Sequence, residues 1–180
     1  MAGVLFENGN IAGLYGKKYN KTAMSATIDF DGGNLVSIAR GTGTDVYVAT
    51  VPATAKLNGL AIAYNPSKHL IKVGSLIISG EGITSDPRNY TNLATFPIDV
   101  FIPQKLDEIE ILAENIDGAI APTVGQFLEA SNGKKTFVIS ATQTTSVTSF
   151  KVVAIGNYPF PQAGIGMNNQ VKYVCECVFN

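Results

Sequence analysis

Ala26-Thr27-Ile28-Asp29-Phe30, Asp31-Gly32-Gly33-Asn34, Leu35-Val36-Ser37-Ile38-Ala39: this stretch sets two β-rich segments around a turn. Asp-Gly and Gly-Gly tolerate the positive φ angles of tight turns, so it reads as a β-hairpin. The rest of the chain is written in the same style. Residues 45–51 set Val46, Val48 and Thr50 against Tyr47, Ala49 and Val51, and Pro52 closes the segment. In 108–113, Ile109 and Ile111 take one side of an extended segment; Glu108, Glu110 and Leu112 take the other. Residues 127–130 and 136–141 flank a second hairpin signal, Ser131-Asn132-Gly133-Lys134.

Further extended segments are expected at 60–64, 70–79, 96–102, 148–155 and 171–179, with Gly74 marking a bulge in the second of them. Residues 83–94 read as a long loop and Ile116-Asp117-Gly118 as a turn. No segment sustains the 3.6-residue apolar period of an amphipathic helix. Residues 53–58 are the best place for one short helix, ended by Gly59. Roughly ten short strands with frequent turns predict an all-β fold, a β-sandwich or a partly closed β-barrel. Pro97, Pro103, Pro159 and Pro161 suit strand ends or edges, where a missing N–H does no harm. The expected organisation is one β domain over 21–180, with room for a subdivision near 84–96, preceded by an extended N-terminal arm over 1–20.

That arm carries Gly3, Gly9, Gly13 and Gly16 among Asn8, Asn10 and Asn20, which opposes a continuous helix. Val4, Leu5, Phe6, Ile11, Leu14 and Tyr15 are too apolar for an idle tail. Two readings stand: an arm that docks on another molecule, or an edge strand on its own domain. In the first reading Val4, Leu5, Phe6, Ile11 and Leu14 are the partner-binding side chains.

The totals narrow the partners. A chain of 180 residues buries about 70% of its extended-chain surface as a single domain. Apolar residues make up 46% and charged residues 15%, against about 25% charged in ordinary soluble domains. So little charge predicts contact with other chains. The net charge is −1, from 13 basic and 14 acidic residues. Nucleic-acid binding needs a basic field, and Lys17, Lys18 and Lys21 form only a short solvated cluster, so no nucleic-acid partner is expected. Apolar runs such as Leu76-Ile77-Ile78 fall far short of the ~20 residues that span a bilayer. The N-terminus lacks the basic start and apolar core of a signal peptide, so no membrane partner is expected either. The sequons Asn20-Lys21-Thr22 and Asn89-Tyr90-Thr91 then carry little weight. Cys175 and Cys177 share one face of an extended strand, where mutual disulfide geometry is poor, which points to a reducing cytoplasm.

Candidate chemistry fails on inspection. Cys175-Glu176-Cys177 offers two thiolates where a structural zinc needs four ligands, and His69 is the sole histidine. The run Asp29-Phe30-Asp31-Gly32-Gly33-Asn34 lacks the further oxygen ligands of a calcium loop. A serine triad would have to use His69, in the turn-like Asn65-Pro66-Ser67-Lys68-His69, and there is no Gly-x-Ser-x-Gly elbow. Carboxylate pairs could be drawn from Glu81, Asp86, Asp107, Glu108, Glu110, Glu114 and Asp117, but solvated strand faces explain them better. Gly41-Thr42-Gly43-Thr44, Gly80-Glu81-Gly82 and Gly164-Ile165-Gly166 lack the helix and Lys-Ser/Thr pair of a phosphate cradle. No enzyme, no metal site and no cofactor are expected. A sugar-binding platform from Asn89, Tyr90 and Asn92 is the alternative binding mode, weakened by the absence of tryptophan.

One run of motifs points further. It comprises Ala63-Tyr64-Asn65-Pro66, Asp86-Pro87-Arg88-Asn89-Tyr90-Thr91-Asn92, Phe96-Pro97-Ile98-Asp99-Val100-Phe101 and Asp107-Glu108-Ile109-Glu110-Ile111. It continues with Ile116-Asp117-Gly118, Thr123-Val124-Gly125-Gln126-Phe127, Phe150-Lys151-Val152-Val153 and Tyr173-Val174-Cys175-Glu176. From about Tyr64 onward this order resembles the decoration, or auxiliary head, proteins of tailed bacteriophages. The usual Gly-Asp before the Ile-rich strand is here Leu106-Asp107. The resemblance implies a virion structural protein, made in the host cytoplasm, that sits on the head surface. Its implied partners are the major capsid protein and further copies of itself, as a homo-oligomer with a trimer favoured. A tail-tube or baseplate protein is a related alternative, and a carbohydrate-binding, adhesin-like sandwich comes from a different class.

Overall fold

A computed structural model describes residues 6–8, 20–42, 46–55, 59–64, 70–73, 76–79, 91–118, 120–162 and 166–180. In chain order the first strands are β1 (Phe6–Asn8), β2 (Asn20–Met24), β3 (Phe30–Asp31), β4 (Leu35–Arg40), β5 (Tyr47–Thr50), β6 (Ala61–Ala63), β7 (Leu70–Val73) and β8 (Leu76–Ser79). They continue as β9 (Thr91–Asn92), β10 (Pro97–Phe101), β11 (Glu108–Leu112), β12 (Ile116–Asp117), β13 (Phe127–Glu129), β14 (Phe137–Ser140), β15 (Ser149–Gln162) and β16 (Gly166–Phe179). The fold is all-β. Among the described residues the helical content is one 3-10 turn, Ala113–Asn115.

Five strands close a barrel in the order β10-β2-β5-β4-β6. A barrel of so few strands has a narrow bore, and the sequence supplies small side chains to fit it. Ala23, Ala49, Ala61 and Ala63 are buried there with Val36, Ile98, Val100 and Phe30. The second sheet has seven strands in the order β1-β11-β16-β15-β13-β14-β12. Its inner face supplies Ile109, Ile111, Leu128, Phe137, Phe150, Val152, Tyr173, Cys175 and Cys177. Leu35, Ile62 and Phe101 join the same core from β4, β6 and β10. The barrel wall is therefore the sheet's packing partner. This explains why β6 is buried at every residue: Ala61 and Ala63 point into the bore while Ile62 points to the sheet.

Several local elements differ from what the sequence predicts. The turn at 31–34 exists, with Gly33 at φ +81 and Asn34 N–H donating to the Asp31 carbonyl at 3.1 Å. Its flanks do not pair with each other. β3 pairs with β9, whereas β4 runs between β5 and β6, so the turn joins two sheets instead of making a hairpin. Gly33 is fixed there because Asn115 packs against it so closely that a Cβ would lie 2.2 Å from the Asn115 Nδ2. The second turn does make a hairpin, β13 with β14, Phe127 opposite Ser140.

Residues 70–79 form two strands, not one bulged strand: Val73 lies opposite Leu76 and the pair runs antiparallel. Ile116 and Asp117 form β12, parallel to β14, not a turn. Ala53 and Ala55, inside the expected helix, are not helical, and residues 56–58 lie outside the described ones. The barrel strands come from 20–101, and apart from β1 the sheet strands begin at Glu108. The change of sheet falls in residues 102–107, where Leu106 adopts φ +75 and the Asp107 carboxylate accepts the Gln104 N–H at 2.7 Å.

Candidate functional site

β15 and β16 span 14 residues each, yet their flanks give out halfway. β11 accompanies β16 only from Glu176 to Lys172. On the other side β13 accompanies β15 from Ser149 to Lys151, and the Gly125–Gln126 backbone adds two hydrogen bonds to Val152 (2.8 and 2.9 Å). Beyond those points the two strands continue as a ribbon, from Asn157 opposite Val171 to Gln162 opposite Gly166. No described strand flanks that part. At about 3.3 Å per residue it extends roughly 20 Å past the sheet.

The core ends abruptly at its root. Tyr173 and Val171 lie on one face of β16, two residues apart, and are 3% and 43% exposed. Ile155, opposite Tyr173, is exposed at 45%. Val153 sits in a register shift between Val152 and Ala154 and is also exposed. Val124 is exposed too, in a turn in which Gln126 N–H donates to the Thr123 carbonyl and Thr123 N–H to Gln126 Oε1, and which is tied to β15 by the Gly125 N–H on the Val152 carbonyl. From residue 152 to residue 171 the sequence has no charged side chain. The arrangement is an apolar root on an uncharged β-ribbon, a geometry suited to docking.

Of the residues singled out in the arm, Phe6 lies in β1, with its backbone paired to Ile111 at the edge of the protein's own sheet. Val4, Leu5, Ile11 and Leu14 lie outside the described residues, as do His69, Glu81, Asp86, Asn89 and Tyr90. Asn92 is not a platform residue: it is buried, and its amide donates to the Tyr64 carbonyl at 2.9 Å. Asp29 accepts the Ala94 N–H and Asp31 accepts the Thr91 hydroxyl, so both acids tie loops together. Glu110 pairs with Lys172 at 2.7 Å on the outer face of the sheet, and Asp117 pairs with Lys134. Cys175 and Cys177 are buried side by side in the core, and burial pushes each thiol up to about 12. Asp107 and Glu176 add to that rise at Cys177, partly offset by a backbone hydrogen bond at Phe179. Burial, and then Cys175, also raise Tyr173 above the ordinary phenol.

Sequence reading missed Val124, Val153, Ile155 and Val171. The signal that could have found them is the charge-free run itself, with prolines at every second position, 159 and 161. A separate cleft of about 430 Å³ opens on the barrel, lined by Asn20, Lys21, Thr22, Tyr64 and Asp99. No family model, curated protein or solved structure matches the chain.

Proposed function

We propose that this chain is a non-enzymatic virion structural protein that binds the outer surface of an assembled phage capsid and stabilises it. The partner class comes from the resemblance described above. The observation that carries the docking role is the apolar root of the uncharged ribbon, where Val124, Val153, Ile155 and Val171 stand in solvent. A protein that binds only the assembled lattice stabilises that lattice by mass action. Repetition over many symmetric copies turns a modest contact into high avidity.

Undecorated, expanded phage heads mixed with the purified chain test this by co-sedimentation. Saturable attachment at micromolar concentration, with heads that withstand higher temperature, is the expected result. No attachment at that concentration overturns it.

The barrel cleft favours a second reading, a carbohydrate-binding module, because it presents an aromatic hydroxyl beside an amide, a hydroxyl and a carboxylate. Tyr64 donates to Asn20 Oδ1 at 3.2 Å and Thr22 donates to Asp99 at 3.3 Å. A glycan-binding screen separates the two: saccharide affinity lost on Asp99→Ala and kept on Ile155→Asp, which lies outside the cleft, supports the sugar reading.

A further inference from the structure

The ribbon has two edges, and they are not equivalent. An antiparallel ladder alternates pairs whose N–H and C=O groups bond each other with pairs whose groups point outward. Proline has no N–H to give. Pro159 opposite Asn169 and Pro161 opposite Met167 must therefore be outward pairs. The same phase makes Met167, Asn169 and Val171 direct their N–H and C=O groups away from β15. The other end of the strand agrees: Cys177, in the same alternate series as Val171, directs both groups away from β15, its N–H donating to the Asp107 carbonyl and its carbonyl accepting the Leu106 N–H, each at 2.8 Å.

The β15 edge thus offers Pro159 and Pro161, which cannot donate, and is closed to an added strand. The β16 edge offers three consecutive outward residues, Met167, Asn169 and Val171, each with donor and acceptor. It begins where β11 stops, at Lys172, so an added strand would continue the line of an existing one.

We propose that two copies of this chain pair antiparallel along this β16 edge, about a twofold axis at Asn169, with Met167 opposite the partner's Val171. An antiparallel pair of identical edges is self-complementary, which is the condition for an isologous contact. The window 166–171 contains no charged residue, so the twofold sets no like charges opposite each other. A lone two-stranded ribbon is marginal in water, and pairing makes it four-stranded. This contact goes beyond the capsid reading and stands whether or not a shell is the partner, because it uses the ribbon's edge and not its apolar root.

The test is sedimentation equilibrium of the full chain from low micromolar to near-millimolar concentration. The expected species is a monomer–dimer equilibrium. Asn169→Pro removes only an outward N–H and leaves the ribbon's own ladder intact, so it should weaken dimerisation by about tenfold or more. Asn157→Pro removes an outward N–H from the β15 edge and should leave the dimer unchanged. Asn169→Lys keeps the N–H, places two cations together at the axis and should give monomer, most completely at low salt. A wild-type chain that is monomeric throughout, a trimer, or a dimer indifferent to both Asn169 variants overturns the proposal. Circular dichroism of each variant identifies any that loses strand content.

Discussion

Gly33 and Asn115 show how tightly single residues are held. Asn115 is fully buried, accepts the Asn34 amide at 3.3 Å, and its Nδ2 has no hydrogen-bond partner among the described residues. Gly33→Ala meets both a positive φ and that side chain, and should cost roughly 2–4 kcal/mol in chemical denaturation. The double variant Gly33→Ala/Asn115→Ala should cost less than the sum of its parts, because the clash and the orphaned amide leave together. Leu106 is the reverse case. It holds φ +75 while 64% exposed, with little packing to lose. Leu106→Gly should therefore gain about 1 kcal/mol, a rise in denaturation midpoint of a few degrees. It is also where the resembled family carries glycine.

The buried thiols give a pH prediction. Each is raised from an ordinary value of 9.0 to about 12 in the folded chain. Between those values the unfolded state releases protons that the folded state retains, so stability falls as pH rises through that window. Below pH 9 the contribution is fully present. Thermal denaturation across pH 8 to 11 should show this decline, and a thiol reagent at pH 8 should label the cysteines only after denaturant is added.

At the level of elements, the barrel's alanines are its most sensitive positions. Ala49→Leu puts three more heavy atoms into a bore lined by Ala23, Ala61 and Ala63, and should cost about 1–3 kcal/mol or more by denaturant titration. Such elements were unequally legible. The alternation of Ile109 and Ile111 against Glu108 and Glu110 reads directly from the sequence, because β11 has one buried face. The β13–β14 hairpin reads equally well, because its turn residues and both strands are local. Parallel pairing of β2 with β5 does not read, since nothing near Ala23 names Tyr47 as its neighbour. The turn at 31–34 misleads for a related reason: its Gly33 answers to Asn115, far along the chain. Nor could sequence rank Ile155 against Tyr173, since their exposure depends on where the flanking strands stop.

Over the whole molecule, one core binds the barrel to the sheet. Leu35, Ile62 and Phe101 sit among Ile111, Phe137 and Phe150, so the two layers should unfold together. Ile62→Ala should cost about 2–5 kcal/mol. Hydrogen exchange should find the loss shared between β4 and β16 amides; protection lost from the barrel alone would show that the layers melt separately.

The two prolines of β15 acquire a further meaning at this scale. A ribbon with both edges open could recruit a neighbour on each side, and those neighbours could recruit others, giving growth without end. With one edge blocked, recruitment stops after a single step. Pro159→Thr/Pro161→Thr should therefore convert a species of fixed mass into filaments that scatter light and bind amyloid dyes, and adding Asn169→Pro should cap them again. On this view Pro159 and Pro161 act as chain terminators of a polymerisation that the rest of the ribbon is equipped to begin.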